Sequence, residues 1–267
     1  MEVLSCSFKG CRPDNEDSHK IIINGSGKNR ELQNVNYYSI FDGHGGKQVS
    51  AFVCENIPDL FTKKHIKYPL DKKYVRKVFS DIQNMIQNHK EKIGVHCGST
   101  ALIVIMYKLS GKQFIDVMNL GDSRCVLCRA NFAVTLTKDH KPEWPEERNR
   151  ITSMGGIVYY DNPVWRVGDL SVSRAFGDLD AAPFVTSVPD VFRYKLEKED
   201  KFIIMACDGL WDVIDNQTAV NFVLDNCYEK DTKTKISNNT KNIAEDLALF
   251  AYKKGSTDNI TVIVIFV

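Results

Sequence analysis

Apolar residues in this chain come in short runs, and most of the runs end or begin on an aspartate. Tyr37–Phe41 leads into Asp42, the run from Phe114 ends on Asp122, the run from Lys201 ends on Asp208, and Asp258 precedes Asn259–Val267. With Thr100–Tyr107 and Arg124–Cys128, these runs are rich in β-branched and aromatic residues and poor in charge, which predicts strands, several of them buried on both faces. Elsewhere the spacing becomes helical. Val49, Phe52, Val53, Ile57, Leu60 and Phe61 form one stripe, and Tyr74, Val78, Ile82, Met85 and Ile86 a second. Val220, Val223, Leu224 and Cys227 form a third, and Ile243, Leu247 and Phe250 a fourth. A shorter helix from about Glu143 is expected to stop at Gly155-Gly156, since glycine readily ends a helix. Asn24–Asn34 and Tyr228–Lys241 are polar and predict loops.

No repeat, proline-rich linker or shift in composition divides the chain, so one domain over residues 1–267 is expected. Strands often follow one another through short turns. That favours an α+β fold, an antiparallel core flanked by helices, over a doubly wound parallel sheet.

Composition changes this picture little. At 267 residues, with 43% hydrophobic and 26% charged residues, the chain can bury a sizeable core. A net charge of +1 gives no reason to expect nucleic acid or an anionic membrane as partner. The first residues lack the apolar segment of a secretion signal, and no run approaches membrane-spanning length. Eight cysteines are scattered, several within strand-like runs, as expected for buried thiols in a reducing compartment, the cytoplasm or nucleus.

The aspartates carry the chemistry. Asp42, Asp122, Asp208 and Asp258 stand at strand ends, Asp212 lies a helical turn after Asp208, and Glu16 and Asp17 follow Arg12. Taken singly, each is most simply a turn or cap residue. If strands sharing an edge gather them, two carboxylates about 4 Å apart repel by about 4 kcal/mol at an effective dielectric near 20. Several in one cleft would rival a domain's whole stability, about 5–15 kcal/mol. Such acids must protonate or hold cations. An all-oxygen donor set suits Mg²⁺ or Mn²⁺, and Gly43 would leave its carbonyl open to a metal.

The stretches "GCRPDNEDSH", "FDGHGG", "CGSTALIV", "NLGDSR", "DHKP", "SVSRAFGD", "ACDGLWDV" and "STDNITV" occur in this order along nearly the whole chain. In this the sequence resembles the type 2C family of metal-dependent serine/threonine protein phosphatases. The resemblance implies a central sandwich of two antiparallel β-sheets with helices packed outside. It implies that Asp42 bridges two divalent ions, that Gly43 ligates through its carbonyl, and that Asp208 and Asp258 complete the second ion's site. Glu16 and Asp17 would hold the first ion, largely through its waters. Asp122, with Asp212, would hold a weaker third ion. Arg12 would grip the substrate phosphate, and His44 would protonate the leaving alkoxide. The implied reaction is in-line attack on phosphoserine or phosphothreonine by a metal-bridging water, with no phosphoenzyme, by a monomer acting on phosphoproteins.

One departure from the family pattern falls in the expected flap beside the site. Arg166-Val167-Gly168-Asp169 stands where Arg-Val-Asn-Gly is usual, which bears on substrate preference more than on chemistry. Asp178 of "SRAFGD" is read as structural, and the chain as a bare catalytic core.

Three other readings compete with this one. Cys6–Arg12 formally satisfies the C-x5-R loop of cysteine phosphatases, but Ser5 precedes it, Pro13 follows the arginine, and only Gly10 gives flexibility. Cys125 and Cys128 have the separation of half a zinc site, yet on a strand they would face opposite ways. A silent pseudophosphatase serving as a scaffold should have lost a ligand or Arg12, and none is missing.

Overall fold

The computed structural model describes residues 2–23, 35–229, 235–236 and 241–267. Strands β1 (Glu2–Phe8), β2 (Ser18–Ile23), β3 (Asn36–Phe41) and the short β4 (Gly43–His44) precede helices α1 (Gln48–Asn56), α2 (Asp59–Thr62) and α3 (Lys72–Gln87). Next come β5 (Gly98–Ser99), β6 (Ala101–Leu109), β7 (Lys112–Leu120), β8 (Arg124–Arg129) and β9 (Phe132–Thr135). Helix α4 (Pro145–Ser153) leads to a hairpin of β10 (Val158–Asp161) and β11 (Val164–Val167). The chain continues through β12 (Phe176–Gly177), β13 (Asp190–Lys195), β14 (Asp200–Ala206) and α5 (Asp208–Trp211). It closes with α6 (Asn216–Cys227), α7 (Ile243–Lys253) and β15 (Ile260–Phe266).

Two five-stranded sheets dominate, ordered β1-β15-β14-β8-β9 and β13-β7-β6-β3-β2, and every pairing in them is antiparallel. Alternation along each strand builds the layers. In β14, Ile203 and Met205 meet Tyr38, Ile40, Leu102 and Val104 between the sheets. Phe202 and Ile204 face the other way, against Val220, Val223 and Leu247 of α6 and α7. On the far side, Tyr37, Phe41, Ile103 and Ile105 meet Val53, Val75, Phe79 and Ile82 of α1 and α3. This is the expected α+β sandwich with helices on both outer faces. Each such fully buried aliphatic or aromatic side chain contributes about 1.5–3 kcal/mol, so the core has the means to hold a strained polar site at its rim.

The differences from the sequence pattern are local. The stripe from Val49 to Phe61 is two helices, because Pro58 supplies no amide hydrogen and interrupts the ladder. Helix α3 turns Val75 and Phe79 inward and leaves Met85 45% exposed. Its start is capped by Asp71, whose carboxylate accepts from the Lys73 amide at 2.6 Å. Helix α4 begins at Pro145 rather than near Glu143; proline suits a first helical position. The loop expected at Asn24–Asn34 lies outside the described residues, as do residues 230–234 and 237–240 of the one at Tyr228–Lys241.

Cys125 faces the inter-sheet core and Cys128 the helical layer, so they form no zinc half-site. All eight cysteines are free thiols. Cys6 lies on β1 with its thiol pushed up by burial and by Glu245, the opposite of what a nucleophilic phosphatase loop needs. Among the described residues, no helix is long and apolar enough to cross a membrane.

Candidate active site

A cleft of about 420 Å³ opens where β3, β7 and β14 end and β15 begins, lined by Arg12, Glu16, Asp42, His44, Asp122, Asp208 and Asp258 together with Gly43. Carboxylate oxygens of Asp42, Asp122 and Asp208 lie within 4.8 Å of one another. A second group, equally close, joins Asp42 to Asp17 and the Cys207 thiol, so Asp42 belongs to both. Asp42 is fixed from two sides: its amide donates to Thr100 Oγ1 at 3.2 Å, and its carbonyl accepts from the Thr100 amide at 2.9 Å. Gly43 is required by crowding, since a Cβ there would meet the Glu16 carbonyl oxygen at 2.4 Å and Ser50 Oγ at 2.9 Å.

Electrostatics make the crowding chemical. Burial pushes the Asp42 and Asp208 carboxyls well above the usual carboxylate range. Asp208 adds most to this at Asp42, and Asp122 adds most at Asp208. Burial likewise pushes Asp17 up to about 6. Its Oδ2 accepts from Thr261 Oγ1 at 2.6 Å, while Oδ1 is buried with no hydrogen-bond partner among the described residues. An orphaned carboxylate oxygen beside further acids that are buried or half-buried is the arrangement a divalent cation satisfies. The residues present therefore fit the metal pair that the family implies. Cys207 is a soft donor among hard oxygens, and burial together with the acids Asp17, Asp42 and Asp208 pushes its thiol up.

Lys141 is the counter-charge already present. Its Nζ lies 3.5 Å from both Asp122 Oδ2 and Asp212 Oδ1. Asp212 itself is outside the cleft lining, with a side chain 60% exposed. At the rim, Arg12 Nη2 donates to Asp258 Oδ2 at 2.7 Å, with the guanidinium about half exposed.

His44 Nε2 lies 3.0 and 2.8 Å from the two carboxylate oxygens of Asp178. Burial opposes a charge on His44, but the bond and proximity to Asp178 outweigh it, so its pKa is raised. Asp178 is thus more than a structural residue of its motif: it orients the histidine. Gly98 makes room for the pair, because a Cβ there would fall 2.1 Å from Asp178 Oδ2 and 2.3 Å from His44 Nε2.

The sequence reading missed the residues that hold others in place. Asn259 accepts from the Glu16 amide at 2.8 Å and donates to the carbonyls of Lys9 and Asp14 at 2.8 and 2.9 Å. One side chain next to Asp258 therefore ties down the loop carrying Arg12, Glu16 and Asp17. His140 is buried, accepts from the Gly121 amide through Nδ1 at 3.0 Å and pairs with Asp190 through Nε2 at 3.2 Å, which fixes the turn before Asp122. The only signal for these was their place inside the quoted motifs. Asn259→Ala is expected to weaken divalent-metal affinity by about 10–100-fold, measured by calorimetric titration, because it frees the Glu16 loop rather than removing a ligand.

A family model described as protein phosphatase 2C matches residues 1–260. The chain belongs to the protein phosphatase 2C family. That places it among the metal-dependent serine/threonine protein phosphatases. It is 34% identical over 263 residues to probable protein phosphatase 2C 59 of Arabidopsis thaliana, covering 97% of this chain and 77% of that one. A PP2C-like domain-containing protein of Acanthamoeba polyphaga mimivirus is 46% identical over 172 residues, 59% of this chain and 96% of its own length. The chain spans 65% of probable protein phosphatase 2C 7 of rice, at 34% identity. Among solved structures, a serine-threonine phosphatase 2C from Toxoplasma gondii superposes with a TM-score of 0.78 at 23% identity, over 99% of this chain and 94% of that one. At that identity the superposition speaks for the fold. The protein phosphatase 2C sandwich accounts for why the acids meet: its two sheets end their strands at one rim.

Proposed function

We propose that the protein hydrolyses phosphoserine and phosphothreonine in proteins, using two divalent cations, Mg²⁺ or Mn²⁺, held in the acidic cleft. The observation that carries this reading is the meeting of Asp42, Asp122 and Asp208 in one cleft that also presents Arg12 and His44. Asp42, common to both acidic groups, would be shared between the ions, with Asp208 and Asp258 holding one and Glu16, Asp17 and the Gly43 carbonyl the other. When bound, the cations supply Lewis-acid charge and acidify water for attack on phosphorus. Lys141, 3.5 Å from both Asp122 and Asp212, offsets part of their charge, so an ion held by these two would be bound less tightly than the pair.

The chain's own residues do the rest. Arg12 is held by one nitrogen on Asp258, and the rest of its guanidinium fork is free to take phosphate oxygens. Phosphate binding orients the ester so that its leaving oxygen faces His44. With Nε2–H committed to Asp178, His44 gives up the proton on Nδ1 to the leaving alkoxide, and its raised pKa keeps that proton available near neutral pH. No side chain needs to become phosphorylated. The free thiols favour the cytoplasm or nucleus as the setting.

Turnover of a phosphothreonine peptide that needs Mn²⁺ or Mg²⁺, stops in EDTA and survives thiol alkylation tests the reading; folded, metal-loaded protein without turnover would refute it. Arg12→Ala is expected to raise KM for the peptide by about tenfold with kcat little changed. An unchanged KM with a large fall in kcat would mean that Arg12 acts on the transition state and not in capture.

A further inference from the structure

A second cavity, of about 440 Å³, lies under the β10–β11 hairpin, walled by Gly155, Gly156, Ile157, Tyr159, Gly168 and Phe184. Its walls are apolar where the acidic cleft is polar. Ile157 is 75% exposed, and no other large apolar side chain among the described residues is more so. The neighbouring hairpin residues Tyr159, Tyr160 and Val164 are also exposed, at 41%, 54% and 36%. A monomer leaves a lone apolar side chain in water without consequence, but a walled group of them beside a cleft marks a contact surface. Gly155 and Gly168 turn the backbone at positive φ (+84° and +57°), and a Cβ on either would face open space. Tyr159 Oη donates to the Gly168 carbonyl at 2.7 Å and locks the hairpin to the turn that forms one wall.

The groove adjoins the cleft at two places. Val167 and Gly168 line the groove, while the adjoining Arg166 and Asp169 line the cleft. Across from them, Asp180 of the groove pairs with His96 of the cleft, oxygen to Nδ1, at 2.8 Å. A peptide whose phosphoresidue sits between Arg12 and His44 has the groove within reach along this side of the cleft.

We propose that this groove is a specificity subsite that takes an aliphatic or aromatic side chain of the phosphoprotein substrate, within a few residues of the phosphorylated one. The occupant follows from the groove's place beside the cleft and from the chemistry of the walls, which offer Ile157, Tyr159, Ala181 and Phe184 to an apolar group. The proposal rests on the phosphatase reading above and adds to it the class of substrate preferred.

The test uses phosphothreonine peptides with alanine at the three positions on either side, and a single leucine moved through those positions. At one or two positions leucine is expected to raise kcat/KM by about tenfold over alanine, mainly through KM, the size of discrimination an apolar pocket gives. In Ile157→Asp that ratio is expected to fall to near one; the site is exposed enough for the variant to keep its melting temperature. A native ratio under twofold at every position would overturn the proposal, and so would a ratio that survives in Ile157→Asp. Continued hydrolysis of p-nitrophenyl phosphate in either case would leave the phosphatase reading intact. No turnover of any of these substrates would remove both.

Discussion

Asp208→Asn and Asp42→Ala are each expected to lower kcat/KM on a phosphopeptide by at least about 10³-fold at saturating Mn²⁺, about 4 kcal/mol of transition-state stabilisation. The same substitutions should leave the metal-free protein as stable as before, or more so. Both carboxyls are half-buried among like charges, so each costs the metal-free fold more than a neutral side chain would. Melting curves in EDTA separate the two ideas. A variant that is inactive and melts at or above the native temperature has lost a ligand; one that melts several degrees lower has lost a structural part. Activity within threefold of native would contradict the placing of the ions.

Metal is expected to raise the melting temperature, and the rise should grow with pH. A carboxyl whose folded pKa is raised contributes stability below its ordinary value and loses it as pH climbs through the folded one. Asp17, pushed up to about 6, and Asp42 and Asp208, pushed higher than usual, therefore make the metal-free protein weaker from about pH 4 upward. Bound cations cancel that loss, because ionised acids are what they need. At about 100 times its dissociation constant, a ligand adds about 2.7 kcal/mol, or roughly 5–10 °C in a protein of this size. The increment from Mn²⁺ at pH 7.5 should exceed that at pH 5 by most of this amount, read by thermal melts in matched buffers. A flat increment would mean that the acids do not ionise together at the site.

Much of this was legible in the chain. The continuous runs at Thr100–Tyr107 and at the end of the sequence could only be strands covered on both faces, and two such sheets with helical stripes left to cover them make the layered sandwich. The acids of the cleft were visible because they stand where apolar runs end or begin, where a carboxylate has no packing value. What escaped notice acts at a distance. Asp178 reads as one more turn acid until folding sets it against His44, 134 residues away in sequence. Asn259 reads as a loop polar residue, and only the close approach of the first loop to the last strand reveals what it holds. Pro58 could have been read as the break in its helix, since a proline interrupts the ladder whatever surrounds it. Strand β1 was missed because its alternation of Leu4, Cys6 and Phe8 with polar neighbours is short and half-exposed.

The pairing of β1 with β15, from Glu2 against Phe266 to Phe8 against Ile260, has a consequence for biosynthesis. Arg12 and Asp258 are brought into contact by it across 246 residues. A growing polypeptide can lay down the β2–β3–β6–β7 sheet early, yet its catalytic mouth stays open until the segment after Asp258 has left the ribosome and zipped alongside the first strand. Chains that stop short of β15 should accordingly be unable to strip phosphate from anything.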